Sequence, residues 1–212
     1  MDVHPPHGPI RSLKDFILHL LTITIGLLIA LALEAAVQSL HHRHMVTEAR
    51  ANLAREIVEN QRLYTQNLHN VQTQLMQLER NMEQLRELRA GKTPEHFDLR
   101  WKFDWNGFVE SAWMSARDSG AIGYMPPEVI EEYSGLYRQQ TFVNEAGVSV
   151  FFDQAKAAAP LLTAKNKDPK DLLPGDIQAM LLSAAELEGR VKTLQAIMES
   201  LDIDYAALLR QP

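Results

Sequence analysis

The chain has 212 residues, a net charge of −6 and no cysteine. The acid excess speaks against nucleic-acid binding, which needs a cationic face to displace counterions; the lack of thiols removes disulfides, thiolate metal sites and cysteine nucleophiles. Aromatic residues make up 7%, too few for an all-β protein, and long stretches free of glycine and proline predict an all-α fold.

Residues 1–11 hold His4, Pro5, Pro6, His7 and Pro9 and read as a disordered tail. Ser12-Leu13-Lys14-Asp15 has the form of a capping box and predicts a helix start. The run 16–37, FILHLLTITIGLLIALALEAAV, is nearly all apolar. At about 1.5 Å per residue it reaches across a hydrocarbon core about 30 Å thick. Residues 12–40 are therefore expected to be a transmembrane anchor helix in contact with the lipid bilayer. Ala30-Leu31-Ala32 resembles a signal-peptidase site, but the apolar run is longer than a signal core and continues without a turn. Arg11 and Lys14 precede the run, and Arg43, Arg50 and Arg55 follow it, so charge gives almost no orientation. The expected placement is the bacterial inner membrane with the C-terminal domain in the periplasm, the commoner plan for a short tail and a large domain.

Thr22, Gly26, Ala30, Glu34 and Gln38 recur every four residues and share one face of the anchor. Small residues at this spacing let helices approach in lipid. The face is expected to bind a second copy or another membrane protein. Glu34 reads either as solvated at the headgroups or as buried in that interface. His19, about 22 Å away by helix rise, is too far for direct proton relay. His41, His44 and Glu48 follow at i, i+3 and i+7. They read as a collar that snorkels to headgroups, and a metal would need a second chain or helix to complete its ligands. No metal, cofactor or catalytic residue is assigned.

Residues 41–212 are expected to form a helical domain outside the membrane. No proline or glycine interrupts the stretch 28–90, so the anchor is expected to continue as a long helix over 41–90. Its apolar positions Tyr64, Leu68, Val71, Leu75, Leu78, Met82 and Leu85 follow a coiled-coil seam. Ile57 extends the seam and Gln61 breaks it. Gly91, with Pro94 beyond, predicts the helix end.

A helical insertion is expected over 91–160. It comprises a connector at 92–103, a helix at 106–119 and a short link at 122–125. A further helix follows from Pro126-Pro127 to about residue 158, with Gly147 as a possible kink. Residues 161–175 read as a loop. A return helix over 176–209 carries Met180, Ala184, Leu187, Val191, Leu194, Met198, Leu201, Tyr205 and Leu208 at heptad spacing. Two matched heptad helices predict an antiparallel hairpin or bundle with two further helices at its distal end. A parallel homo-oligomeric coiled coil is the other arrangement that heptads allow.

Trp101, Trp105 and Trp113, with Phe97, Phe103, Phe108 and Tyr124, concentrate aromatic surface in the insertion. They read either as a core cap or as a partner or ligand surface, the latter through Trp101, Trp105, Trp113 and Tyr124. Arg117-Asp118-Ser119 lacks a nearby histidine and makes no triad. There is no phosphate loop, zinc-protease motif or EF-hand loop.

IGLLIALALE at 25–34, SAWMSARDSGA at 111–121 and Tyr124-Met125-Pro126 resemble a group of uncharacterised bacterial single-pass membrane proteins. The resemblance implies an uncleaved anchor and carries no activity. The expected function is a non-enzymatic, membrane-anchored scaffold or interaction protein that assembles through its anchor and coiled coil. The alternative is a sensory or accessory subunit of a channel or transporter that responds to a ligand or protons.

Overall fold

The computed structural model describes residues 12–164 and 168–208. The expected tail at 1–11 lies outside them, as do residues 165–167 of the expected loop and residue 209 of the return helix. The elements are α1 (Leu13–Arg89), α2 (Ser111–Asp118), a 3₁₀ turn (Ala121–Tyr124), α3 (Pro127–Ala164), a second 3₁₀ turn (Pro169–Asp171) and α4 (Pro174–Leu208). No strand occurs among the described residues. The chain divides into two compact units, Met1–Glu48 and Ala49–Pro212.

In the first unit the Ser12 side chain accepts a hydrogen bond from the Lys14 amide at 3.2 Å and caps α1. The helix that follows is long and apolar enough to cross a membrane. Its large side chains, from Leu13 to Leu40, are exposed.

The second unit is a three-helix bundle built from residues 49–89 of α1, α3 and α4. Its core runs its full length, through Ile57, Val71, Leu85, Val143, Val150, Met180, Val191 and Tyr205. Tyr64 meets Tyr205 edge to face at 6.0 Å, and Arg89 donates to Gln178 at 3.4 Å. The expected antiparallel pairing of the long and return helices is therefore present. Every heptad position of α4 from Met180 to Tyr205 is buried.

The insertion does not sit at the far end of this hairpin. Tyr137 and Gln140 of α3 reach Glu56 and Asn60 of α1, whereas Asp153 of α3 pairs with Arg190 of α4. Helix α3 thus runs alongside α1 in the same direction, and α4 returns. Two neighbouring parallel helices need a crossover, and residues 98–110 supply it as an extended strap laid back along α1. Main-chain bonding of this strap to α1 explains why the expected helix at 106–119 begins only at Ser111. Helix α3 also continues past residue 158 to Ala164, with Pro160 inside it.

Glycine is required at two of these joints. Gly91 adopts φ 74° and closes α1 in a Schellman motif. Its amide bonds Leu88 O and the Lys92 amide bonds Glu87 O, both at 3.0 Å. Gly147 lies under the Trp105 indole, where a Cβ would fall 2.1 Å from a ring carbon. Close packing against Trp105 accounts for this glycine. Gly147→Ala is expected to displace Trp105 and destabilise the protein by about 1–3 kcal/mol, the usual cost of overpacking, read as a lower melting temperature.

Candidate functional site

Asn60, Asn67, Gln74 and Asn81 stand seven residues apart on α1, and each is at most 1% exposed. Seven residues are two helical turns, so they form one column beside Ile57, Tyr64, Val71, Leu78 and Leu85. Leu68 and Leu75, which the apolar seam predicted to be buried, are only partly so. The buried seam has turned toward the carboxamides.

The column holds the strap by its main chain. Asn60 donates to Val109 O at 2.6 Å and accepts from the Val109 amide at 2.8 Å. Asn67 donates to Asn106 O at 2.7 Å and accepts from the Asn106 amide at 2.9 Å. Asn81 does the same with Arg100, at 2.7 and 3.1 Å. One turn further along, Gln84 accepts from the Asp98 amide at 2.8 Å, and Asn70 adds a bond to Asp104 O at 2.9 Å. A primary amide offers the same donor and acceptor pair as a peptide group, so the column acts as a β-strand edge made of side chains.

The two pitches match. From Asn60 to Gln84 the helix rises about 36 Å, and residues 98–109 extended at about 3.3 Å per step cover the same length. Along the strap Phe97, Leu99, Trp101, Phe103 and Trp105 pack against the core. Asp98, Arg100, Lys102 and Asp104 face solvent, paired as Arg100–Asp98 at 2.6 Å and Lys102–Asp104 at 2.9 Å. Period-two alternation is a strand signature. It was visible at 97–105, as was the period-seven carboxamide column, but a reading confined to apolar helix positions passes over both.

At the end of the strap, Glu56 organises the chain's return into helix. Its carboxylate accepts from Ser111 Oγ at 2.9 Å, from the amides of Ala112 and Trp113 at 2.7 and 3.3 Å, and from the Tyr137 hydroxyl at 2.7 Å. A carboxylate at a helix N-terminus binds the free amides of the first turn and is favoured by the helix dipole. Glu56 therefore fixes where α2 starts and ties it to α3. Beside it, Asn60 donates to Gln140 Oε1 at 3.2 Å and Gln140 donates to the Tyr205 hydroxyl at 3.0 Å.

The aromatic residues are spread along the strap and beyond it. Trp105 donates from Nε1 to Asn144 at 3.0 Å and lines a 740 Å³ groove with His69, Asn70, Asp104 and Phe151. Trp113 is buried and stacks on Tyr137 at 5.2 Å with 7° between the rings. Trp101 packs against the core, and Tyr124, in the first 3₁₀ turn, is exposed. The four are thus not one surface.

In the first unit Thr22, Gly26, Ala30, Glu34 and Gln38 are all exposed. Gln38 donates to Glu34 at 3.3 Å along the helix, Thr22 bonds Leu18 O at 2.9 Å, and a Cβ at Gly26 would meet nothing within 4 Å. Among the described residues no three His, Asp or Glu side chains are grouped to hold a metal ion, His41, His44 and Glu48 included.

The fold and site define a class: the described residues are all-α, with one helix long and apolar enough to cross a membrane and a three-helix bundle laced by an extended strap. No family model, curated protein or solved structure matches the chain, which accords with the uncharacterised group that its sequence resembles.

Two predictions follow from the bonding. Asn67→Ala is expected to destabilise the protein by about 1–3 kcal/mol, because it strands the Asn106 peptide group. Hydrogen exchange should show the Asn106 amide losing protection ahead of neighbouring α1 amides.

The second concerns alkaline pH. Burial pushes the phenols of Tyr64, Tyr137 and Tyr205 up, Tyr64 to about 12. A phenol with a folded value above its unfolded value of about 10 contributes stability that is complete below pH 10. That contribution is lost as pH rises from there through 12. Melting temperature should hold up to about pH 9.5 and then fall, with tyrosinate absorbance rising together with unfolding.

Proposed function

We propose that the chain is a non-enzymatic scaffold or interaction protein, anchored in the bacterial inner membrane by residues 12–40. In this reading its helical domain lies on the periplasmic side, and it assembles with copies of itself or with another membrane protein through the anchor. The observation that carries the reading is the apolar stretch of α1, whose large side chains all lack protein cover. Leaving such a surface in water is costly, and a bilayer removes it. The polar face of Thr22, Gly26, Ala30, Glu34 and Gln38 is the part of that surface suited to another helix rather than to lipid.

The bundle supports the non-enzymatic part. Its buried carboxylates are occupied with architecture: Glu56 caps α2, and Asp153 accepts from Arg190 at 2.5 Å and Lys156 at 3.2 Å. The carboxamides of Asn60, Asn67 and Asn81 are committed to the strap. These groups hold shape instead of facing a substrate.

The absence of native cysteine makes the test direct. Single cysteines placed from Thr22 to Gln38 in membrane vesicles are expected to crosslink with a three-to-four-residue period, peaking at Gly26, Ala30 and Glu34. Flat reactivity would remove the interface. Release of the chain by alkaline carbonate would remove the anchor. Labelling of a cysteine at Ser200 by an impermeant thiol reagent in intact cells would support the periplasmic side, and protection until lysis would reverse it.

A further inference from the structure

The fourth member of the column does not behave like the other three. Asn60 pairs with residue 109, Asn67 with 106 and Asn81 with 100. Each seven-residue step forward on α1 goes back three residues on the strap, so this register sets Gln74 opposite Phe103. Phe103 O accepts instead from Gln154 Nε2 of α3, at 3.2 Å. Gln74 is 0% exposed, yet among the described residues neither its Nε2 nor its Oε1 has a partner. Gln154 Oε1 and Trp101 Nε1 are likewise buried and unpartnered. All three residues are placed around the same stretch of strap, Gln154 by its bond to Phe103 and Trp101 by lying two residues away.

Their chemistry is complementary but unmatched. Gln74 supplies two N–H donors and an acceptor, Trp101 one donor, and Gln154 one acceptor. Buried groups of this kind are almost always satisfied. Buried water in proteins typically makes about three hydrogen bonds to otherwise unpaired polar groups. We infer that the bundle contains an internal hydration site at this rung, where one or two water molecules join Gln74 to Gln154 and the Trp101 indole. In place of the direct bonds from α1 side chains to strap peptides at 60, 67 and 81, α1 is joined to the strap here through solvent, while Gln154 of α3 holds Phe103 O directly. The longer arm of glutamine fits that role: one methylene more than asparagine alters its reach at a position where the register places a peptide group.

Full-length protein in detergent micelles, labelled with ¹⁵N-tryptophan, gives three indole N–H signals, one of which Trp101→Phe assigns. The expected result is water cross-relaxation at the Trp101 indole, of the sign given by long-lived bound water. Its absence would overturn the inference. Gln74→Leu supplies a second readout by the sign of its effect. With water in place, the substitution evicts it, strands Gln154 and Trp101, abolishes the cross-peak and lowers the melting temperature by several degrees. If Gln74 is simply an unpaired amide in a dry core, leucine raises the melting temperature or leaves it unchanged, and the site is refuted. Should Gln74→Leu fail to fold, the cross-relaxation measured on the unsubstituted chain decides alone.

Discussion

The bundle depends on pairing between carboxamides of a buried helix face and the main chain of an extended segment. A strand laid on a helix has no neighbouring strand to take its N–H and C=O groups, and burying them unpaired is costly. Asn60, Asn67 and Asn81 remove that obstacle because each presents a peptide-like donor and acceptor side by side. With the strap secured, the chain is carried back along α1 before α3 begins. That return allows α3 to lie parallel to α1 and leaves the antiparallel place for α4. Glu56 then converts extended chain to helix at one point by binding the first amides of α2.

The bundle's core is therefore mixed by design of the sequence. The side of α1 facing the strap is polar, and the side facing α4 is apolar. Tyr137, Gln140 and Tyr205 link the two through hydrogen bonds at the end nearest Glu56, while Trp105 fastens the strap to α3 over Gly147. Apolar contacts of this sort tolerate sliding along the helix axis. Two-point carboxamide bonds do not, since a displacement of one residue leaves both the amide and the peptide group unpaired.

What was legible in the sequence was what apolar periodicity and terminal residues encode. The length of α1, its end at Gly91, the start of α3 at Pro127 and the buried positions of α4 all follow from local rules that operate without partners. The antiparallel pairing also followed, since two matched heptad stripes must cover one another. The course of the strap was not, because its bonds span 14 to 49 residues and are made by residue types usually assigned to solvent. Asn60, Asn67, Gln74 and Asn81 look like the wet face of a helix until something extended is laid on them. For the same reason Trp101, Trp105 and Trp113 read as a cluster by proximity in the chain. The strap separates them, placing each at a different height on the bundle. The face of Thr22, Gly26, Ala30, Glu34 and Gln38 is legible as a pattern, and in the folded chain all five residues are exposed.

The matched pitches of helix and strap constrain how this protein can change length over evolution. In most helical domains a surface connection accepts an extra residue with little penalty, because nothing counts along it. Here one residue gained between Asp98 and Val109 would put every later rung out of phase and turn the aromatic side chains outward. One residue gained between Asn60 and Gln84 would rotate the column away by about 100°. Relatives that keep this architecture should therefore differ in size by a combined unit, two helical turns in α1 together with three strap residues, and α3 and α4 should lengthen by the same two turns. Isolated insertions should gather where no rung is crossed, at the joints after Gly91 and between α3 and α4.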